Sequence, residues 1–310
     1  MVRSYIFVLI AVTIFSSNLV VGKAVSHMSP VTVVFFRLFI AFLVTLPIGY
    51  KQVKYHMDIW KENWKYLFAF AVTGISFFNF FVYLSLNYTS STNAGIVEAT
   101  TPVFSIFLGY FILKERLTRR QLIGAGISFI GAIWVIANGS LEVLLALDFN
   151  IGDIFMIVAV LIWAIYGMYV KQHNHKFPVY GGVVIMLGMG FLIILPFAIA
   201  NWIINGFHVE ITDYKGIAGL LYLGIFPSVI GLIFWNKSVS NLGPSLASIF
   251  LNLLPVFTTI MAVIFLNEKL VPAQIFGGIL VVGGVLLVNL NLKNIKRFSK
   301  KDKKAIETTN

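Results

Sequence analysis

The sequence predicts an all-α polytopic membrane protein, ten transmembrane helices arranged as two inverted five-helix repeats. Three observations predict it. The 310 residues are 59% hydrophobic and 11% charged, with mean hydropathy +0.91, whereas a soluble domain carries about 25% charged residues. Ten segments reach or approach the ~20 apolar residues that a helix needs to cross a bilayer. One 19-residue layout is written twice, as TTPVFSIFLGYFILKERLT at 100–118 and LLPVFTTIMAVIFLNEKLV at 253–271, offset by 153.

The segments follow in order. The first, 5–26, has the length of a signal peptide but lacks a small-residue cleavage site. It also has an internal counterpart at 152–171, so it is kept as a helix. The second, 31–50, follows Pro30 and carries Arg37. The third, 66–86, follows Lys61 and Lys65. The fourth, 92–113, contains Glu98 and Pro102 and ends on Lys-Glu-Arg. The fifth, 121–138, carries GAGISFIG at 124–131. Residues 139–151 read as an external linker. The series then repeats at 152–171, 179–200, 216–237, 244–266 and 273–291, with Pro255 in the ninth segment and GGILVVGG at 277–284 in the tenth. Residues 292–310 form a basic tail.

The repeat extends past its opening stretch. At offset 153, Ala94 matches Ala247, Gln121 matches Gln274, Gly124 matches Gly277 and Gly131 matches Gly284. The first helices align at offset 148, where Lys23 meets Lys171 and Pro30 meets Pro178. Residues 1–138 and 152–291 are therefore two copies of one unit. Five crossings is an odd number, so the second copy enters the membrane from the opposite side. Such inverted repeats are typical of secondary transporters, which bind solute between the halves and rock one half against the other.

The net charge of +11 does not imply a nucleic-acid partner, because the basic residues sit between apolar spans, where membrane topology explains them. With the N-terminus inside, 19 of the 23 lysines and arginines lie on the cytoplasmic side. Both termini are then expected in the cytoplasm, with the tail beside anionic lipid headgroups. There are no cysteines, which excludes disulfides and thiolate metal sites. His173-Asn174-His175 has no accompanying carboxylate or further histidine, so no metal site is read. No phosphate-cradling glycine loop is present either. The expectation is no metal, no cofactor and no enzymatic activity.

The tandem stretches PVFSIFLGYFILKERLTRRQLIGAGISFIGAIWVI and PVFTTIMAVIFLNEKLVPAQIFGGILVVGGVLLV resemble the EamA units of the drug/metabolite transporter superfamily. FSSNLVVGK at 15–23 and FFRLFIAF at 35–42 resemble that family's first- and second-helix motifs. The resemblance covers about 5–290. It departs at Phe15, where the family usually has tryptophan; the second copy does have Trp163. It implies a ten-helix carrier with cytoplasmic termini that exports amino acids, metabolites or drugs.

The expected function is a secondary transporter, an exporter of a small organic solute by alternating access, in the bacterial plasma membrane. The alternative is an importer or exchanger of a polar metabolite. A membrane-embedded enzyme or a scaffold would not need two inverted halves. The expected partners are the solute and membrane lipids. The small faces at 124–131 and 277–284 serve close helix packing within the chain or a homodimer contact.

Charges inside a span are costly and face a cavity or a partner. Arg37 lies six residues into the second helix, about 9 Å deep at ~1.5 Å per residue. Glu98 lies at similar depth, and Lys23 near the outer end of the first helix. An Arg37–Glu98 or Lys23–Glu98 ion pair is expected, or else a coupling role for Glu98. Leu251 stands in the place of Glu98 in the second copy. A solute cavity needs apolar walls with a few polar groups, and Ser16, Asn18, Asn79, Tyr83, Trp163 and Tyr166 are the candidates. Pro102 and Pro255 remove a backbone donor mid-span and are expected to kink their helices. Glu115 and Glu268 end those helices beside basic residues and read first as solvated turns.

Overall fold

The computed structural model describes residues 2–25, 28–89, 91–145, 150–206, 214–266 and 270–289, and every element in them is a helix. The first repeat contains α1 (Val2–Ala24), α2 (Pro30–Tyr55), α3 (Met57–Phe70), a π-helical segment Ala71–Phe77, α4 (Phe78–Ser85), α5 (Ser91–Glu98), α6 (Thr101–Leu113) and α7 (Arg119–Ile136). A short α8 (Leu141–Leu145) follows. The second repeat contains α9 (Ile151–His173), a 3₁₀ turn Asn174–Lys176, α10 (Val179–Asn205), α11 (Tyr214–Ile225), a π-helical segment Phe226–Gly231, α12 (Leu232–Leu242), α13 (Pro244–Ile249), a 3₁₀ turn Phe250–Leu253, α14 (Leu254–Leu266) and α15 (Pro272–Asn289). The basic tail 292–310 lies outside the described residues.

Local chemistry sets the helix ends. Ser29 caps α2 by accepting from the Thr32 amide at 3.3 Å, with Pro30 in the first turn. Thr118 with Gln121 and Asn150 with Asp153 form reciprocal caps at the starts of α7 and α9. In each, the side chain satisfies amides that have no intrahelical partner.

Among the described residues, seven helical stretches are long and apolar enough to cross a membrane: Pro30–Tyr55, Met57–Ser85, Ala94–Leu113, Ile151–Lys176, Val179–Asn205, Tyr214–Leu242 and Pro244–Met261. Arg3–Asn18 and Pro272–Val288 are shorter apolar helices. The sequence predicts ten spans. The other three predicted segments fall on α1, α7 and α15, which are helical and packed against the other helices but are not among these seven.

The packing is reciprocal between the repeats. α1 packs on α12 and α14, while its counterpart α9 packs on α4 and α6. α2 packs on α10 and α7 on α15, each pair joining equivalent helices. A near-two-fold relation between the halves produces this pattern.

The polarity of the fold is inverted relative to a soluble protein. Phe107, Ile130, Ile279 and Leu286 are exposed, whereas Ser16, Arg37, Asn79, Ser128, Asn236 and Asn252 are buried. An apolar surface of this extent suits contact with lipid. The buried polar groups are stabilised by partners inside the bundle.

The fourth and ninth helices are interrupted just before their prolines. α5 stops at Glu98 and α6 starts at Thr101, with Pro102 in its first turn. In the second repeat the 3₁₀ turn Phe250–Leu253 precedes Pro255. Proline has no amide to donate to the preceding turn, and around Pro102 the chain uses tighter bonds such as Thr100 N to Val97 O at 3.0 Å.

Candidate functional site

A central cavity lies between the repeats. Its empty space, including the part open to solvent, is about 860 Å³. The first repeat contributes Phe15 and Asn18 from α1, Arg37 and Leu38 from α2, Gly74 and Ile75 from the π-helical segment, Phe78, Asn79 and Val82 from α4, and Glu98 and Thr101 around the break between α5 and α6. The second repeat contributes Trp163, Leu187, Pro227, Ser228, Leu232, Leu251 and Leu254.

Of the residues expected to line a cavity, Asn18, Asn79 and Trp163 do so, together with Arg37 and Glu98. Ser16, Tyr83 and Tyr166 do not. Ser16 is fully buried, and its hydroxyl donates to the Val12 carbonyl of its own helix at 2.8 Å. Tyr83 stands behind Arg37 and accepts from its Nη1 at 3.4 Å. Tyr166 is fully buried behind Trp163, with ring centroids 5.2 Å apart, and donates to Asn236 Oδ1 at 2.6 Å. Asn79 lines the cavity and donates to the Ile75 carbonyl of its own helix at 2.8 Å.

Arg37 is 5% exposed. Its Nε donates to Ser228 Oγ at 2.6 Å and its Nη1 to Asn18 Oδ1 at 3.3 Å. These partners come from α1, α4 and the π-helical segment of the other repeat, so the guanidinium ties three elements together. The expected Arg37–Glu98 ion pair is not present within 4.0 Å among the described residues. Neutral oxygens hold Nε and Nη1 instead, and Nη2 makes no bond among the described residues. The Lys23 side chain, the other expected partner of Glu98, lies outside the described part of the structure.

The repeat relation explains part of this arrangement. Asn18 corresponds to Tyr166 at offset 148, and Tyr83 to Asn236 at offset 153. Each half thus carries one asparagine and one tyrosine on its first and third helices, in opposite order. In the second half they bond directly. In the first half both accept from Arg37, which stands between them.

The aromatic wall is one cluster. Trp163 packs on Phe78 at 4.5 Å, Trp235 at 5.5 Å and Phe15 at 6.1 Å between ring centroids. Phe15 and Trp163 are equivalent positions, so the departure at Phe15 leaves an aromatic pair across the repeat interface.

Ser228 was not foreseen from sequence, though it makes the shortest bond to Arg37. It sits on a π-helical turn and its hydroxyl also reaches the Leu223 carbonyl, five residues earlier, at 2.8 Å. π-bulges of this kind recur at functional sites. The available signal was Pro227, a proline inside an apolar span. The first repeat has its own π-helical segment at Ala71–Phe77, so both third helices are wound wider where they pass the cavity.

Comparison with known proteins agrees with this architecture. The EamA-like transporter family matches residues 2–137 and 150–290. An uncharacterized transporter of Archaeoglobus fulgidus is 28% identical over 295 residues, covering 92% of this chain and 96% of its own. Uncharacterized transporter YyaM of Bacillus subtilis is 28% identical over 243 residues, covering 76% of each chain. A protein of Streptantibioticus cattleyicolor named a probable terminal-alkyne amino-acid exporter is 25% identical over 218 residues, 70% of each chain. A crystal structure with 16% identity superposes with a TM-score of 0.78 over 94% of this chain and 98% of that one, which shows the shared fold. Two tandem matches, spanning nearly the whole length and meeting at the cavity, make this chain a member of the EamA-like transporter family.

Proposed function

We propose that this protein is a secondary transporter that exports a small organic solute, an amino acid, metabolite or drug, by alternating access. The observation that carries the reading is the cavity itself. Equivalent helices from both repeats wall it, so rocking one repeat against the other would open it to either face in turn. Its lining of aromatic and aliphatic side chains with a few polar groups suits a solute with an apolar body. Ten helices cross the membrane in this reading, with both termini in the cytoplasm, as the distribution of lysine and arginine supports. The outward direction rests on the Streptantibioticus relative, which is named an exporter.

Counterflow in liposomes tests the proposal. Liposomes holding the purified protein and preloaded with unlabelled solute should transiently accumulate the radiolabelled form. A panel of amino acids, nucleosides and cationic drugs should contain at least one solute that does so above protein-free liposomes. Absence of counterflow across the whole panel, from protein shown to be folded, would refute it.

A further inference from the structure

We propose that the cavity is built for a zwitterion, with the Arg37 guanidinium holding the solute's carboxylate and the Glu98 carboxylate its ammonium group. The inference rests on the transporter reading above and names the class of solute.

Arg37 and Glu98 line the same cavity. They do not pair with each other within 4.0 Å among the described residues. The Glu98 side chain has no hydrogen-bond or ion-pair partner there either. Arg37 spends Nε and one terminal nitrogen on neutral oxygens. Its Nη2, with two N–H groups, makes no bond among the described residues. Each charge is costly to keep away from water without an opposite charge beside it. One solute that carries both opposite charges would satisfy both.

The balance of charge selects the class. The two side chains sum to zero, so a net-neutral solute with separated charges leaves neither uncovered. A simple cation would leave Arg37 facing added positive charge. A simple anion would do the same to Glu98. A bound ammonium group also favours the ionised form of the carboxylate beside it.

Preorganisation supports the role of Arg37. Ser228, Asn18 and Tyr83 fix the guanidinium from three elements, so little freedom is lost when a carboxylate arrives. The other walls are apolar, with Phe15, Phe78 and Trp163 forming an aromatic side and Leu251 and Leu254 an aliphatic one. The zwitterion's side chain should therefore be apolar. The site is single, because the second repeat has Ile185 and Leu251 where the first has Arg37 and Glu98.

The test uses the purified full chain and two zwitterions, L-phenylalanine and L-leucine. The controls are their amines (phenethylamine and isoamylamine) and their acids (3-phenylpropionate and 4-methylpentanoate). Thermal stabilisation, titrated with each compound, reports affinity, and counterflow in liposomes reports transport. Each zwitterion should bind at least ~10-fold more tightly than its amine or its acid, as expected for one lost charge-assisted contact. Glu98→Gln is nearly isosteric and disturbs no existing partner, so it should fold. In it the preference for phenylalanine over 3-phenylpropionate should fall to within ~3-fold, while the preference over phenethylamine persists. The proposal fails if neither zwitterion stabilises the protein, if an amine or acid binds as tightly as its zwitterion, or if Glu98→Gln leaves the preferences unchanged. Counterflow of another solute that neither zwitterion inhibits would overturn the zwitterion site and leave the transporter reading standing. Binding of the zwitterions without counterflow of any solute would do the reverse.

Discussion

A buried guanidinium is stabilised only if its donors find acceptors. Arg37 meets this with neutral oxygens at unequal distances. Ser228 Oγ is at 2.6 Å, whereas Tyr83 OH is at 3.4 Å, near the limit at which a hydrogen bond counts. Hydrogen bonds to charged groups are worth about 1.5–3 kcal/mol when well made. Ser228→Ala should therefore lower the unfolding temperature in detergent clearly more than Tyr83→Phe, which should stay close to the parent. Equal losses, or a larger loss for Tyr83→Phe, would show that Arg37 is held otherwise. Ser228→Ala also frees the Nε donor toward the cavity, so thermal unfolding separates the two variants better than transport does.

At the scale of elements, α7 and α15 pack backbone to backbone through glycines. A β-carbon at Gly124 would come within 2.7 Å of the Gly284 carbonyl oxygen, and one at Gly284 within 2.6 Å of the Gly124 carbonyl oxygen. Gly131 and Gly277 face each other in the same way. The two small-residue faces read from sequence thus pack on one another within the chain. Overpacking such a contact costs about 1–3 kcal/mol. Gly284→Ala should accordingly lower the unfolding temperature. Gly126 has no atom near its missing β-carbon, so Gly126→Ala should be neutral or stabilising by up to ~1 kcal/mol from helix propensity. Comparing the two by thermal unfolding checks the contact, and matching outcomes would contradict it. The start of α13 shows another tight join. Glu115, just past α6, accepts from the Ser245 amide at 3.3 Å with its Oε2. Its carboxylate also fills the space beside Gly243, whose φ of +89° favours glycine. The solvated-turn reading of Glu115 is corrected by this contact, which joins the fourth helix of one repeat to the fourth of the other. Glu268 lies outside the described residues.

For the whole molecule, the proposed topology places residues 139–151 outside and the basic tail inside. The chain has no cysteines, so single cysteines introduced at Ser140 and Ser299 give clean signals. A membrane-impermeant maleimide applied to intact cells should label the Ser140→Cys variant and spare the Ser299→Cys variant until the membrane is permeabilised. The opposite pattern would invert the orientation. Labelling at both positions on intact cells would mean an even number of crossings between them instead of five, and with it a different number of spans.

The helical class, the tandem repeat, the family and the presence of charges where lipid-facing helices cannot hold them are all legible in the order of residues. These properties are one-dimensional: hydrophobic run length, residue spacing and the offset between copies. The sequence also singled out Asn18, Asn79, Trp163, Arg37 and Glu98, because polar and aromatic residues inside apolar runs stand out against their surroundings. Which of them meet depends on how the helices pack and turn about their axes. Arg37 and Glu98 have opposite charge and similar expected depth, and that made a direct pair reasonable. The pair is absent because depth along two helices says nothing about rotation around them, and rotation brought Arg37 to Ser228, 191 residues away. Ser16 and Tyr166 were hidden for the same reason, one turned into its own helix and the other behind Trp163. The π-helical turns at Ala71–Phe77 and Phe226–Gly231 also depend on the assembled bundle. An extra residue per turn costs backbone regularity, and contacts made across the two repeats, such as Arg37 with Ser228 and Gly74 against the Tyr166 ring, help hold it.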